Sequence, residues 1–323
     1  MNIPVFDLHC DTAYTLLNNG CKETYGLKSN HFHVDLQKAA GFAGYAQCFA
    51  CFTSPDDPLC KRLSPEAVFE MEYSSILKQL EQNKDCIRLA GTTADIENNC
   101  SQHLMSAILT LEGTAGIGYD HGRLQELYTK GFRITTLGWN EDNCLTGSHA
   151  TGGGLTSLGK EFVRTAQNVG FIIDVSHVSD QAFWDIMDIT KGCVIASHSN
   201  SRAVHPVTRN LTDDMFLAIC STGGVAGINL YTEFLGVSAT LDTVCDHILH
   251  YLDLDPEGKH IALGGDLDGC ESLPSGFDDL SSYTVLADRM IYRGISQETI
   301  MDIFWNNAMG VFESCCMSAQ EIK

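Results

Sequence analysis

Basic residues are scarce in this chain: 20 lysines and arginines stand against 41 aspartates and glutamates in 323 residues, a formal net charge of −21. Such a surface repels nucleic-acid phosphates and anionic lipid, which excludes nucleic acid and membrane surfaces as partners. Also missing is any run of about 18 apolar residues, the length a bilayer-spanning helix needs. The opening MNIPVFDLHCD lacks the basic region, apolar stretch and small-residue cleavage site of a secretory signal, so the chain is expected to stay in the cytoplasm. No linker, composition shift, internal repeat or low-complexity tract divides the sequence. Residues 1–323 therefore read as a single barrel domain with C-terminal helices. Acidity is compatible with a cation site, although a solvated acidic surface accounts for most of it.

The hydrophobic content, 44%, is enough to bury a large core. Most of the 14 cysteines sit in apolar surroundings. In a cytosolic protein they read as small buried hydrophobes and not as disulfides. Cys48 and Cys51 form a CxxC inside an apolar run. Residues three apart on a strand face opposite sides, and no second CxxC exists, so redox and structural-zinc roles do not fit. Cys315 and Cys316 read as inert.

Eight short apolar runs recur along the chain: IPVFDLH, GYAQCFACF, SAILTLEG, FRITTLGW, FIIDVSH, CVIASH, GVAGINL and HIALGGD. Each is apolar on both faces, as parallel strands covered on both sides are. Helical periodicity falls between them at 65–83, 122–130, 157–168, 180–190, 213–221, 241–252 and 282–293, and again at 297–305 and 307–314. Strand–helix alternation with eight strands predicts an α/β fold, a (β/α)8 TIM-like barrel, ahead of a doubly wound open sheet.

Ligand-type residues end five of these runs: His9 with Asp11, Glu112, His177, His198 and Asp266. In a parallel barrel all strand C-termini share one face, where active sites lie. Imidazoles and carboxylates suit Zn²⁺ or a similar divalent ion. Six candidates exceed the needs of one tetrahedral ion and suffice for two ions with a bridging carboxylate. Glu112, alone on its strand, is the expected bridge. Each residue also has a plainer reading. A histidine at a strand end is usually a satisfied core or loop residue, and Asp11 could be the N-cap of a following helix. The five strand ends taken together weigh against those readings.

The segments DLHCDT, LTLEG, IDVSHVS, ASHSNSRAVHPVTRNLTDD and LGGDLDG resemble the signatures of the membrane (renal-type) dipeptidase family, metallopeptidases on an amidohydrolase-like barrel. The resemblance runs in order from residue 3 to about residue 312. It implies two zinc ions: His9 and Asp11 on one, His177 and His198 on the other, and Glu112 bridging. It implies Asp266 as the catalytic acid/base, with Asp268 second, since alternation points that side chain the other way. Arg209 in VTRN resembles the family's arginine for the substrate carboxylate, and its guanidinium fork suits that group. Tyr231 resembles a substrate-holding tyrosine; its plainer reading is a packed rim aromatic. One departure stands out. Some members carry a histidine after the fourth strand, whereas TTLGWNEDN has none. Asn140 there could donate to an oxyanion, and Trp139 is expected to shape a wall.

The activity implied is hydrolysis of free dipeptides, including L-Xaa-D-Xaa, by a zinc metallo-dipeptidase; since similar proteins are often dimers, a homodimer is implied as well. The alternatives are another barrel amidohydrolase, acting on a cyclic amide, lactone or N-acyl amino acid, or a non-catalytic metal-binding relative. Gly154 to Lys160 fits GxxxxGK, but Glu161 stands where a phosphate loop needs Ser or Thr. A glycine-rich loop covering the site ahead of a helix is the preferred reading. His31 and His33 read as loop or rim residues, and His149, His205, His247, His250 and His260 carry no assigned role.

Overall fold

The computed structural model describes residues 2–19 and 26–315. Its strands are β1 (Val5–Cys10), β2 (Tyr45–Phe52), β3 (Ile87–Leu89), β4 (Met105–Glu112), β5 (Phe132–Thr135), β6 (Ile172–Asp174), β7 (Val194–Ile195), β8 (Ala226–Ile228) and β9 (Ile261–Leu263). Eight of them pair in the order β7-β6-β5-β4-β2-β1-β9-β8, all parallel. A parallel bridge from Ala196 to Ala226, with Gly227 N donating to the Ala196 carbonyl at 2.8 Å, joins the two ends. The result is the expected (β/α)8 barrel: six of its strands fall within the apolar runs, while β1 and β4 each extend one residue beyond theirs, to Cys10 and from Met105. The sequence reading did not include β3. It pairs with the outer part of β4, and its exposed Arg88 and Leu89 hide it from a search for buried runs.

Register separates the inside of the barrel from the outside. Phe6, Ala46, Cys48, Ile108 and Ile134 belong to one buried cluster with Ile172, Ile195 and Ala262. Within it, Phe6 pairs with Ala46 and Cys48 with Ile108. Its far end is plugged by Ala308, Val311 and Phe312 of the C-terminal helix Asn307–Cys315. The alternate side chains, among them Val5, Phe49, Cys51, Leu109 and Ile173, join the larger cluster beneath the surrounding helices. Cys48 and Cys51 thus lie on opposite faces, as a strand requires. Cys316 lies outside the described residues.

The helix at 213–221 was placed correctly, as Asp213–Ser221; those at 65–83, 157–168, 180–190 and 241–252 appear as Pro65–Gln82, Ser157–Val169, Asp180–Ile189 and Leu241–Leu254. The segment at 122–130 is shorter than expected: a tight 3-10 turn, His121–Arg123, precedes the helix Leu124–Thr129. The stretch at 297–305 breaks at Met301 into a wider turn, Asp302–Asn306. The helices Thr12–Asn18, Pro58–Leu63 and Thr93–Ser101 lie outside the expected segments: the first two have only 7 and 6 residues, and Thr93–Ser101 buries only Ile96 and Asn99, too few apolar positions to show a period. Among the described residues no helix is long and apolar enough to cross a membrane.

Candidate metal centre and substrate cavity

The C-terminal ends of the strands carry the six expected residues to one point. β1 shifts register between Asp7 and Cys10. His9, within that irregularity, is buried, with Nε2 3.2 Å from Asp11 Oδ2 and 3.3 Å from Glu112 Oε2. Asp11 occupies the backbone N-cap position of Thr12–Asn18 but makes no capping bond with its side chain. Its carboxylate faces His9 instead, so the plainer reading of Asp11 does not hold. Glu112 ends β4 and turns its other oxygen elsewhere: Oε1 lies 3.0 Å from His177 Nε2 and 3.7 Å from His198 Nε2. Gly113 permits that turn at φ 76°, where any Cβ would collide with the Thr53 carbonyl. His177 and His198 approach with their Nε2 atoms 2.9 Å apart.

Three nearby residues hold left-handed backbone: His177 at φ 73°, Asp266 at 56° and Asp268 at 68°. Such non-glycine conformations cost about 1–3 kcal/mol each and concentrate at functional sites. The two aspartates follow β9, where the expected alternation has ended. Asp268 is therefore not turned away: it lines the same cavity as Asp266. It is engaged structurally, accepting from Thr12 Oγ1 at 2.7 Å and from His33 N at 2.6 Å. Asp266 has one oxygen held by Asn229 Nδ2 at 3.0 Å and the other 3.9 Å from His9 Nε2.

The electrostatics call for a cation. Burial pushes the Glu112 carboxyl up to about 8, with His9 opposing and the Asp11 charge adding to the rise. Burial likewise lifts Asp266 to about 6, against the pull of His9 and with a push from Asp11. Burial disfavours a charged His9, yet Glu112 and Asp11 outweigh it and hold that imidazole well above its usual value. His177 and His198 are driven well below theirs, chiefly by burial, and stay neutral with lone pairs to give. Asp11 Oδ1 is buried with no hydrogen-bond partner. Ligand atoms of His9, Glu112 and His198, and of His9, Asp11 and Asp266, lie within 4.8 Å of one another in each set. An orphaned carboxylate oxygen among crowded acids and neutral imidazoles fits divalent cations.

Groups behind these residues fix their orientation. Ser197 Oγ lies 2.6 Å from His198 Nδ1 and donates to Asp174 Oδ2 at 2.5 Å. Asp7 accepts from His9 N, Gly265 N and the Tyr283 hydroxyl, tying β1 to the strand that carries Asp266. Such outer contacts set the tautomer and angle of a ligating histidine.

Beside the centre opens a cavity of about 430 Å³, lined by Glu112, His177, Asp266, Trp139, Asn140 and Tyr231 among others. That lies in the range of small-molecule sites. Trp139 forms a wall, edge-on to Phe52 at 5.1 Å. Burial, followed by the carboxylates of Glu271 and Glu233, raises the pKa of the Tyr231 hydroxyl. Arg209 is not among the residues lining this cavity; it is 4% exposed beside His177 and Ser199, with Nη1 donating to Ser199 Oγ at 2.6 Å and its Cζ 5.6 Å from the Phe234 ring centre. Its Nε and Nη2 have no partner, so the backbone-carbonyl role open to a loop arginine is not what it does.

His149 lines the cavity too, a position given no role in the sequence reading. The only signal was a histidine inside the glycine-rich stretch TGSHATGGG. That stretch is pinned to the His177 loop by a bridge from Ser148 to Val178 and a bond from His149 N to the His177 carbonyl at 2.8 Å. It forms no phosphate loop, because Thr156 caps the helix Ser157–Val169 and Gly159 lies inside it. His33 holds Asp268 N through Nδ1 at 3.0 Å, and buried His247 packs between Ser201 N and the Leu235 carbonyl.

Known proteins are similar to this chain in sequence and in fold. Two Schizosaccharomyces pombe proteins described as uncharacterized dipeptidases are 31% and 32% identical, over 75% and 90% of this chain. The matches cover 64% and 74% of those proteins, so the chain spans under two thirds of the first. A Rhodobacter sphaeroides metallo peptidase, solved with a phosphinate mimic of the dipeptide L-Ala-D-Ala, is 26% identical with a TM-score of 0.88, covering 98% of this chain and 100% of that one. A dipeptidase of the same peptidase family reaches 0.89 at 26% identity and the same coverage. The model of the membrane dipeptidase family, peptidase family M19, matches residues 1–323, and the chain belongs to that family.

Proposed function

We propose that this protein is a zinc-dependent dipeptidase that hydrolyses free dipeptides, L-Xaa-D-Xaa among them, at a centre of two metal ions. The observation that carries the reading is the Glu112 carboxylate, which turns Oε2 to His9 and Oε1 to His177 and His198. His9 and Asp11 would hold one ion, His177 and His198 the other, and Glu112 both. Bound zinc supplies an acidified water and an electrophile for the peptide carbonyl.

The chain's own groups do the rest. Asp266 accepts the proton from the attacking water and returns it to the departing amine. Burial raises its carboxyl above the ordinary aspartate value, to about 6, with His9 opposing first, which favours it as a proton acceptor over an exposed aspartate. Asn229 holds one oxygen and leaves the other for transfer. Arg209 presents two unpartnered nitrogens to the substrate's terminal carboxylate, and Ser199 keeps the guanidinium from swinging away. A free carboxylate beside the scissile bond is what sets a dipeptide apart from a longer peptide. Trp139 and Tyr231 bound the cavity, and Asn140, also in its lining, would serve as an oxyanion donor. The D-residue finds support in the ligand of the Rhodobacter enzyme.

The test is exhaustive chelation followed by zinc, with L,L-, L,D- and D,L-dipeptides as substrates. Activity should vanish and return, and C-terminally amidated dipeptides should stay uncut. Full turnover by the metal-free protein, or equal turnover of amides, would overturn the reading.

A further inference from the structure

Asn140 Oδ1 sits 2.7 Å from His177 Nδ1 and 2.8 Å from His149 Nε2. Which atoms carry protons follows from the centre. In the dipeptidase reading His177 Nε2, 3.0 Å from Glu112 Oε1 and 2.9 Å from His198 Nε2, is the atom that would bind a metal ion, and so it offers its lone pair there. With Nε2 committed to the metal, the ring proton is on Nδ1, and the atom opposite it must be an acceptor. That fixes the Asn140 amide with oxygen towards His177. His149 Nε2 meets the same oxygen and must donate as well, which leaves His149 Nδ1 to accept from Thr208 Oγ1 at 3.2 Å. Both lone pairs of the amide oxygen are then used. The amide nitrogen, the other branch of the same plane, has no hydrogen-bond partner among the described residues, and Asn140 lines the cavity.

We infer that His149 is a positioning residue that acts through Asn140: with His177 it saturates the amide oxygen and turns the amide N–H groups into the cavity as donors to the reacting oxygen of the substrate. The inference rests on the dipeptidase reading. It supplies the oxyanion donor that the missing histidine after the fourth strand left open, and it gives the glycine-rich loop a task. The loop is fastened, among other contacts, by His149 N on the His177 carbonyl, Ser148 Oγ on the Asn140 carbonyl, and the His149 ring on Thr208 beside Arg209. Without His149 the amide oxygen keeps one donor and the side chain gains freedom to rotate about the His177 contact.

The experiment compares zinc-loaded wild type, His149→Ala, His149→Gln, Asn140→Ala and the double alanine variant. Loss of an oxyanion donor costs about 10²–10³ in kcat. Asn140→Ala should fall in that range, and His149→Ala should lose about tenfold in kcat with KM nearly unchanged. The double variant should be no worse than Asn140→Ala, because His149 has nothing left to position. His149→Gln, whose amide N–H can reach the same oxygen, should recover most of the loss. A second readout is zinc affinity measured on the stripped proteins. Asn140→Ala should weaken it by about tenfold, having removed the partner of His177, whereas His149→Ala should leave it within a few-fold. Multiplying losses in the double variant, wild-type kcat in His149→Ala, or no recovery in His149→Gln would overturn the inference while the dipeptidase reading stands. A wild-type protein that cuts no dipeptide would overturn both.

Discussion

At the residue scale, the site depends on groups held where they would not otherwise stay. Asp266 combines left-handed backbone, burial and the nearby charge of Asp11, and unlike Asp268 it keeps one oxygen free of any hydrogen bond to the chain. Asp266→Asn keeps the shape and the Asn229 contact but cannot take a proton. It is expected to retain zinc in metal analysis and to lose about 10²–10⁴ in kcat by steady-state assay. Wild-type turnover would move the proton transfer elsewhere. Arg209→Ala removes two buried donors that have no partner. Charge-assisted hydrogen bonds are worth about 1.5–3 kcal/mol, so kcat/KM for free dipeptides should fall by about 10- to 100-fold, mainly through KM. A loss in kcat alone would instead place Arg209 on the reacting atoms.

At the scale of elements, the helix Pro65–Gln82 reaches into the barrel wall through Glu72. This fully buried carboxyl accepts from Phe52 N at 2.7 Å at the end of β2, and its other oxygen has no partner. Burial raises its pKa well above the ordinary 4.5; the Phe52 bond opposes the shift, and the charges of Asp11 and Glu112 add to it. The sign of the linkage follows. Folded protein holds this proton more tightly than unfolded chain, so the contribution to stability is complete below about 4.5 and is lost as pH rises above it. Glu72→Gln carries no proton to lose. Between pH 5 and pH 8, in one zinc buffer, its urea midpoint should gain on the wild type; parallel curves would mean that Glu72 is ionised in the fold. The same scale explains why the helix could be read from sequence and its anchor could not. Apolar spacing marks the face that packs, but nothing in AVFEMEYS shows that one of its glutamates points inward.

At the scale of the molecule, a charge of −21 surrounds a cavity whose lining includes Asp268, Glu233 and Glu271. Such a field concentrates cations and repels anions, and salt screens it within about 10 Å at 0.1 M. Raising the ionic strength should therefore lower kcat/KM for lysine-containing dipeptides and raise it for glutamate-containing ones. Salt responses of the same sign for both would assign the effect to the protein and not to its field.

The sequence alone determined the barrel, because eight buried parallel strands must be short and apolar on both faces. It also determined the set of converging residues, because parallel strands bring their C-terminal ends to one rim. Alternation carried the reading only as far as the strands lasted. Past Leu263 both aspartates adopt left-handed backbone, so Asp268 enters the cavity that a strand would have turned it from. Asp11 sits at an N-cap without capping, because the neighbouring imidazole competes for its carboxylate. His149 reaches the site from a loop whose course is set by hydrogen bonds to the His177 segment, contacts that join distant parts of the chain and leave no periodic trace. Only the tertiary structure decided which oxygen of Glu112 faces which histidine, and which way the amide of Asn140 turns.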